Sequence, residues 1–143
     1  EYAVRCILYL SSKGVGVLCN RRQIAAAMDI PDQFLGKIAQ QLARAGYIES
    51  VQGARGGLKL AVSPEKLTLL DVVETVIGEI FLNDCILRPE TCSRSNACTV
   101  YQVWDKARNQ LRATLREATF AGLLKEDSCI NPYEQIGSKP SIC

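Results

Sequence analysis

The sequence predicts a mainly α-helical protein: a winged helix-turn-helix domain with a two-stranded wing, plus a long C-terminal dimerisation helix. Three observations predict it. Two short helical patterns, at residues 20–28 and 31–45, stand on either side of a tight turn. A glycine-rich hairpin pattern follows at residues 47–62, and an apolar stripe of near-heptad spacing runs from Val100 to Ala118. The chain has 143 residues, 48% of them hydrophobic, enough for one compact core and short for two independent ones.

Each element has a local reason. Val4, Ile7, Leu8 and Leu10 among small residues predict a first helix over 2–12, stopped by Gly14-Val-Gly16. Asn20, with Gln23 three residues on, resembles a capping box and opens a short second helix through Met28. Pro31 and Asp32 are start signals for a third. Its Leu35, Ile38, Leu42 and Ala45 are spaced three, four and three, which is one helical face. Gly46 is placed to end it in the left-handed conformation. Tyr47–Gln52 and Leu58–Val62 read as strands around Gly53-Ala-Arg-Gly-Gly57, with Leu58, Leu60 and Val62 facing one way.

Ser63-Pro64 breaks the hairpin, and Thr68 caps a fourth helix with Asp71 at its third position and Gly78 at its close. Val100, Trp104, Ala107, Leu111, Leu115 and Ala118 then step by four, three, four, four and three. Arg108, Arg112 and Arg116 run along another face of this helix. So small a winged domain offers little surface to cover the stripe, so Val100, Trp104, Leu111 and Leu115 are expected in a homodimer interface. Ser128–Cys143, with two prolines and Gly137-Ser138, is expected to be irregular. The expected division is a winged helix-turn-helix domain at 1–66, then 67–143 with a cysteine loop at 83–98, the dimerisation helix at about 99–118 and the tail.

The formal net charge is +2. Residues 1–63 carry eight basic against four acidic side chains, a balance of +4, and residues 64–143 nine against eleven, a balance of −2. A basic front half fits a phosphate-facing surface, with regulation or oligomerisation behind it. No apolar run approaches the roughly 20 residues of a membrane span, and no signal peptide is visible. Seven cysteines is an odd count, unlike a paired disulfide scaffold, so a cytoplasmic protein with reduced thiols is expected. Glu1 opens the chain inside a helical pattern, so upstream residues are expected. With no histidine and no nucleophile–base arrangement, nothing suggests an enzyme.

In a helix-turn-helix the second helix of the pair enters the major groove by its N-terminal end. Here that end offers Gln33, Lys37 and Gln40 or Gln41. Glutamine pairs with adenine edges, and lysine reaches guanine or phosphate. Arg21 and Arg22 suit phosphate contact, and Arg55 at the wing tip suits a minor groove. Gly56 and its neighbours would let backbone approach the duplex. The expected partner is double-stranded promoter DNA. A winged helix also serves as a protein–protein adaptor, which would show no salt-dependent duplex affinity.

Cys85, Cys92 and Cys98 lie in one polar stretch, with six residues between the first pair and five between the second, among Arg88, Glu90, Arg94 and Asn96. Lone cysteines are most often small buried hydrophobes, which suits Cys6 and Cys19 but not this stretch. Thiolates are the ligands of iron–sulfur clusters, whereas structural zinc sites favour close Cys-x-x-Cys pairs, absent here. A fourth ligand would be a carboxylate, another cysteine or solvent. A bare thiol–disulfide switch is the rival reading.

Glu1-Tyr-Ala-Val-Arg-Cys-Ile-Leu-Tyr-Leu10, Leu35 through Gly46-Tyr-Ile-Glu-Ser50, Gly53-Ala-Arg-Gly-Gly57 and the three-cysteine stretch together resemble the Rrf-type (IscR-like) bacterial winged-helix regulators. The resemblance covers nearly the whole chain. It implies a homodimer on palindromic promoter DNA, with an iron–sulfur cluster of the 2Fe–2S or 4Fe–4S type on Cys85, Cys92 and Cys98 controlling transcription. It also implies Glu1 as a ligand reaching across from the partner subunit. The chain departs from the family pattern in several places. The first cysteine gap is one residue longer than in the best-known members, and the histidine ligand of some is missing. Gly36 lies where some carry a base-discriminating glutamate, and Gln52 where many carry a wing arginine. Family members without a cluster respond to thiol oxidation or a small metabolite.

Overall fold

The computed structural model describes residues 1–125; the expected irregular tail, with Cys129 and Cys143, lies outside the described residues. The chain runs α1 (Tyr2–Lys13), α2 (Arg21–Ala27), α3 (Asp32–Arg44), β1 (Ile48–Val51), β2 (Gly57–Leu60), α4 (Leu69–Ile77), α5 (Asp84–Leu87), α6 (Thr99–Glu117) and α7 (Phe120–Lys125). Mainly helical with one two-stranded antiparallel sheet, it has the winged-helix architecture expected.

Capping chemistry sets most boundaries. Asn20 caps α2 through the Arg22 amide at 2.9 Å rather than through a box with Gln23. Gly46, at φ 79°, ends α3 in the left-handed region. The Thr68–Asp71 capping box on α4 is complete, each side chain bonded to the other's backbone N–H. The hairpin pairs Ile48 with Leu60 and Val51 with Gly57. The α1–α2 connector lies along the other edge of β2, with Cys19 N–H donating to Leu58 O at 2.8 Å and Leu58 N–H to Cys19 O at 2.9 Å. That approach requires Gly57, because a Cβ there would sit 2.1 Å from the Cys19 carbonyl oxygen.

The core surrounds α1. Cys6, Ile7 and Leu10 are fully buried with Ile24, Leu35 and Leu42 of the helix pair and Leu58 and Leu60 of the wing. Phe120 completes this core from the far end of the sequence and is also fully buried. Leu69 N–H donates to Ala118 O at 2.8 Å and Phe120 N–H to Leu67 O at 3.0 Å, so the chain returns to the winged domain after α6. Helix α7 was not anticipated. It is six residues long, too short to show a helical period. The cysteine stretch is also more ordered than a loop. It holds α5 and single 3₁₀ turns at Pro89–Thr91 and Ser95–Ala97. The buried Ser95 hydroxyl joins these turns, 2.8 Å from the carbonyl oxygens of both Pro89 and Cys92.

Replacing Phe120 with Ala should cost about 3–5 kcal/mol of unfolding free energy, the usual range for truncating a buried Phe. Urea unfolding followed by circular dichroism measures it. A loss below about 1 kcal/mol would mean that α7 does not pack as described.

Candidate nucleic-acid interface and cysteine segment

Helix α3 presents two opposed faces. Leu35, Ile38, Ala39 and Leu42 are buried, and Gln33, Lys37, Gln40 and Arg44 are exposed. The exposed set recurs at steps of four, three and four, one stripe of a 3.6-residue helix. Beside it Arg21 crosses from α2 to the wing and donates from Nη2 to Ser50 Oγ at 2.6 Å. Arg21, Gly36, Gln40, Arg44, Ser50 and Gln52 line a groove of about 400 Å³ between α3 and the wing. A second hollow of about 380 Å³ continues past Arg21 and Arg22 to the wing tip. The reading helix, the two arginines of α2 and the wing thus form one basic, concave surface of the kind that cradles a phosphate backbone.

Two expected members stand differently. Gln41 is half-buried, and its Nε2 donates to the Val76 carbonyl of α4 at 3.5 Å, away from the exposed stripe. Gly56 has a reason internal to the hairpin: a Cβ there would lie 2.2 Å from the Val51 carbonyl oxygen. Arg55 is exposed at the tip as expected. Arg44 was missed, although its place seven residues after Lys37 signalled the same stripe.

The five described cysteines are free. Burial pushes the Cys6 thiol up to about 12, and neighbouring Cys19 adds to the shift. Cys19 is raised by burial too, against an opposing contribution from Lys13. Both are inert core thiols. Cys85, Cys92 and Cys98 are half-buried. Cys85 lies in α5, Cys92 closes the first 3₁₀ turn, and Cys98 ends the second and is the N-cap of α6. Among the described residues, no three cysteine or carboxylate side chains stand together as a metal-binding group. Three half-buried free thiols on one segment suit an iron–sulfur cluster as a donor set.

Glu1 lies apart from that segment in sequence. Its exposed carboxylate pairs with Arg5, whose Nη1 donates to the Met28 carbonyl at the end of α2, 3.1 Å away. The inner face of α6 is bound to α4: Arg112 Nη2 lies 2.9 Å from Glu74 and Nη1 3.0 Å from Glu79, while Arg108 also pairs with Glu79. On α6, Val100, Val103, Trp104 and Leu111 are exposed, Val103 to 64%, and Ile77 at the end of α4 to 68%. Leu115 is half-buried. No described helix is long and apolar enough to cross a membrane.

The family model described as "Rrf2: Iron-dependent Transcriptional regulator" matches residues 1–126. The chain is 32% identical over 123 residues to the HTH-type transcriptional regulator NsrR of Geobacillus kaustophilus, spanning 86% of this chain and 77% of that one. Among solved structures it is similar to T. potens IscR, with a TM-score of 0.70 at 22% identity, covering 89% of this chain and 83% of that chain. It is likewise similar to CymR, the global cysteine regulator of B. subtilis, with a TM-score of 0.71 at 20% identity over 89% and 93% of the two chains.

The positions of the two glutamines make a paired prediction. Gln40→Ala should weaken binding to a selected operator by about 1–3 kcal/mol, the worth of a base contact. Gln41→Ala should leave that affinity within about threefold, because its amide serves α4. Fluorescence anisotropy titrations of both variants on one duplex decide the matter; the reverse ranking would turn the reading face by nearly a quarter of a helix.

Proposed function

The chain belongs to the Rrf2 family of transcriptional regulators, and on that premise we propose a homodimeric DNA-binding regulator whose operator affinity is controlled by an iron–sulfur cluster on Cys85, Cys92 and Cys98. The observation that carries the reading is the placing of three free, half-buried thiols on the one segment that leads into α6. The family model's description as iron-dependent supports it. When bound, such a group supplies reversible redox and ligand-exchange chemistry. Everything else falls to this chain's own residues.

Cys98 occupies the N-cap position of α6, so a displacement of its backbone acts on the start of that helix. Arg108 and Arg112 transmit a shift of α6 to Glu74 and Glu79, and α4 packs directly on the reading helix. The partner subunit's Glu1 is the proposed fourth ligand. In this chain Glu1 holds Arg5, which in turn holds the end of α2, so drawing Glu1 elsewhere would free a contact at the helix-turn-helix turn. At the reading head, Arg21, Arg22, Lys37 and Arg55 meet phosphate or groove, while Gln33 and Gln40 meet base edges. The exposed apolar residues of α6 pair with those of a second copy, spacing the two heads for a palindromic site.

A second reading is favoured by the same three free, half-buried thiols, which an oxidant could also reach: a regulator of the same family that answers to thiol oxidation or a small metabolite without a cluster.

Protein purified without oxygen should be coloured and carry iron and acid-labile sulfide. Ser at Cys85, Cys92 or Cys98 should remove both, because serine is a harder and far less acidic ligand. Ser at Cys6 or Cys19 should leave the iron content intact. Colourless, iron-free protein whose operator affinity still responds to a thiol oxidant would establish the second reading.

The interface assignment is tested at Leu111, 40% exposed in the single chain. Leu111→Glu should convert dimer to monomer or aggregate, since an unpaired charge in an apolar interface costs about 3–5 kcal/mol. Operator binding should fall with it. Sedimentation showing an intact dimer of this variant would remove α6 from the interface.

A further inference from the structure

Phe34 is the apolar residue of α3 that the core does not take. It is 44% exposed, whereas Leu35, Ile38, Ala39 and Leu42 are each exposed by 7% or less. It sits in the first turn of the helix, beside Gln33 and one turn before Lys37. That turn is the part of a reading helix that reaches the bases. Its ring rests beside Tyr2. The Tyr2 ring centroid lies 5.6 Å away with the planes tilted by 43°. Tyr2 in turn lies under the Arg5 guanidinium at 5.9 Å, and Arg5 is anchored to the Met28 carbonyl at 3.1 Å. The exposed part of the ring is therefore held before any ligand arrives.

The polar residues around Phe34 recognise hydrogen-bonding edges, and a phenyl ring cannot. In the major groove the one apolar group on any base is the C5 methyl of thymine. We propose that Phe34 is a specificity-determining residue that reads a thymine methyl group in each half-site, with Tyr2 and Arg5 as the residues that position its ring. The proposal rests on the DNA-binding reading and deepens it by naming a base that the reading head selects.

The test begins with an operator selected by the full-length protein from a random duplex library. Each thymidine of that operator is then replaced by deoxyuridine, which removes the methyl group and leaves every hydrogen-bonding edge unchanged. Replacement at one position per half-site should weaken wild-type binding by about fourfold, the equivalent of one apolar carbon left unburied. Phe34→Ala should bind the two duplexes equally, and Phe34→Leu should keep part of the preference. Circular dichroism should show both variants fully folded at the titration temperature, Phe34→Ala melting a few degrees lower for the loss of its contact with Tyr2. The proposal is overturned if no deoxyuridine position affects wild-type binding, or if Phe34→Ala keeps the full preference. Absence of any salt-sensitive duplex binding would instead remove the DNA-binding reading, and this proposal with it.

Discussion

The burial of one face of α1 is the constraint on which the rest depends. Cys6, Ile7 and Leu10 are wholly withdrawn from water, together with residues of α2, α3, β2 and α7. Each aliphatic side chain so buried stabilises by about 1.5–3 kcal/mol relative to exposure. Helix α1 packs on both α3 and α7, and α4 packs on α3 as well. The orientation of α3 is thus not a local property of the helix-turn-helix. It is set by one helix that precedes the motif and another that follows it. The polar stripe of Gln33, Lys37, Gln40 and Arg44 points outward because Leu35, Ile38 and Leu42 have been claimed from inside.

Helix α6 is held by a different kind of interaction. It buries no residue fully within the chain and is joined to α4 by Arg108, Arg112, Glu74 and Glu79. Arg108 and Arg112 expose only 12% and 22% of their side chains, so removing a partner would leave a poorly solvated charge. The attachment of α6 is polar and directional, whereas that of α1 is apolar. That contrast suits a segment proposed to carry a signal. The exposed Val100, Val103, Trp104 and Leu111 are the residues of α6 proposed to pack against a second copy.

Much of this was legible in the sequence, because the relevant signals are short-range. Thr68 with Asp71, Gly46 after a clean apolar stripe, and the alternation of Leu58 and Leu60 each encode one local decision. Legibility fails where distance in sequence decides. The helix α7 cannot be read from six residues, since what makes Phe120 a core residue is the Leu67 carbonyl and the α1 face, 53 positions or more away. Gln41 looks equivalent to Gln40 in sequence and differs only because α4 happens to cover it. Gly56 invited a reading in terms of DNA backbone, and the Val51 carbonyl supplies an internal one. The donor types of the cysteine segment were legible. The short helix and two 3₁₀ turns that hold them were not, because spacing along a polar stretch does not specify where its turns fall.

The N-terminus of α1 joins the two halves of the proposed mechanism. Glu1, a candidate ligand, and Tyr2, which seats Phe34, are adjacent in sequence and share Arg5 as a neighbour. Arg5 therefore contacts a carboxylate, an aromatic ring and the end of α2 at once. Any event that draws the Glu1 carboxylate away alters the charge balance at Arg5, and Arg5 in turn bears on the ring beside the reading helix. Coupling of this kind is reciprocal by thermodynamic necessity. If losing the Glu1 contact changes how firmly Phe34 is seated, then seating Phe34 in a groove changes the freedom of Glu1 by the same free energy. Operator DNA and the sensing segment would then compete or cooperate through one guanidinium, without a large rearrangement of the core around Ile7 and Leu10.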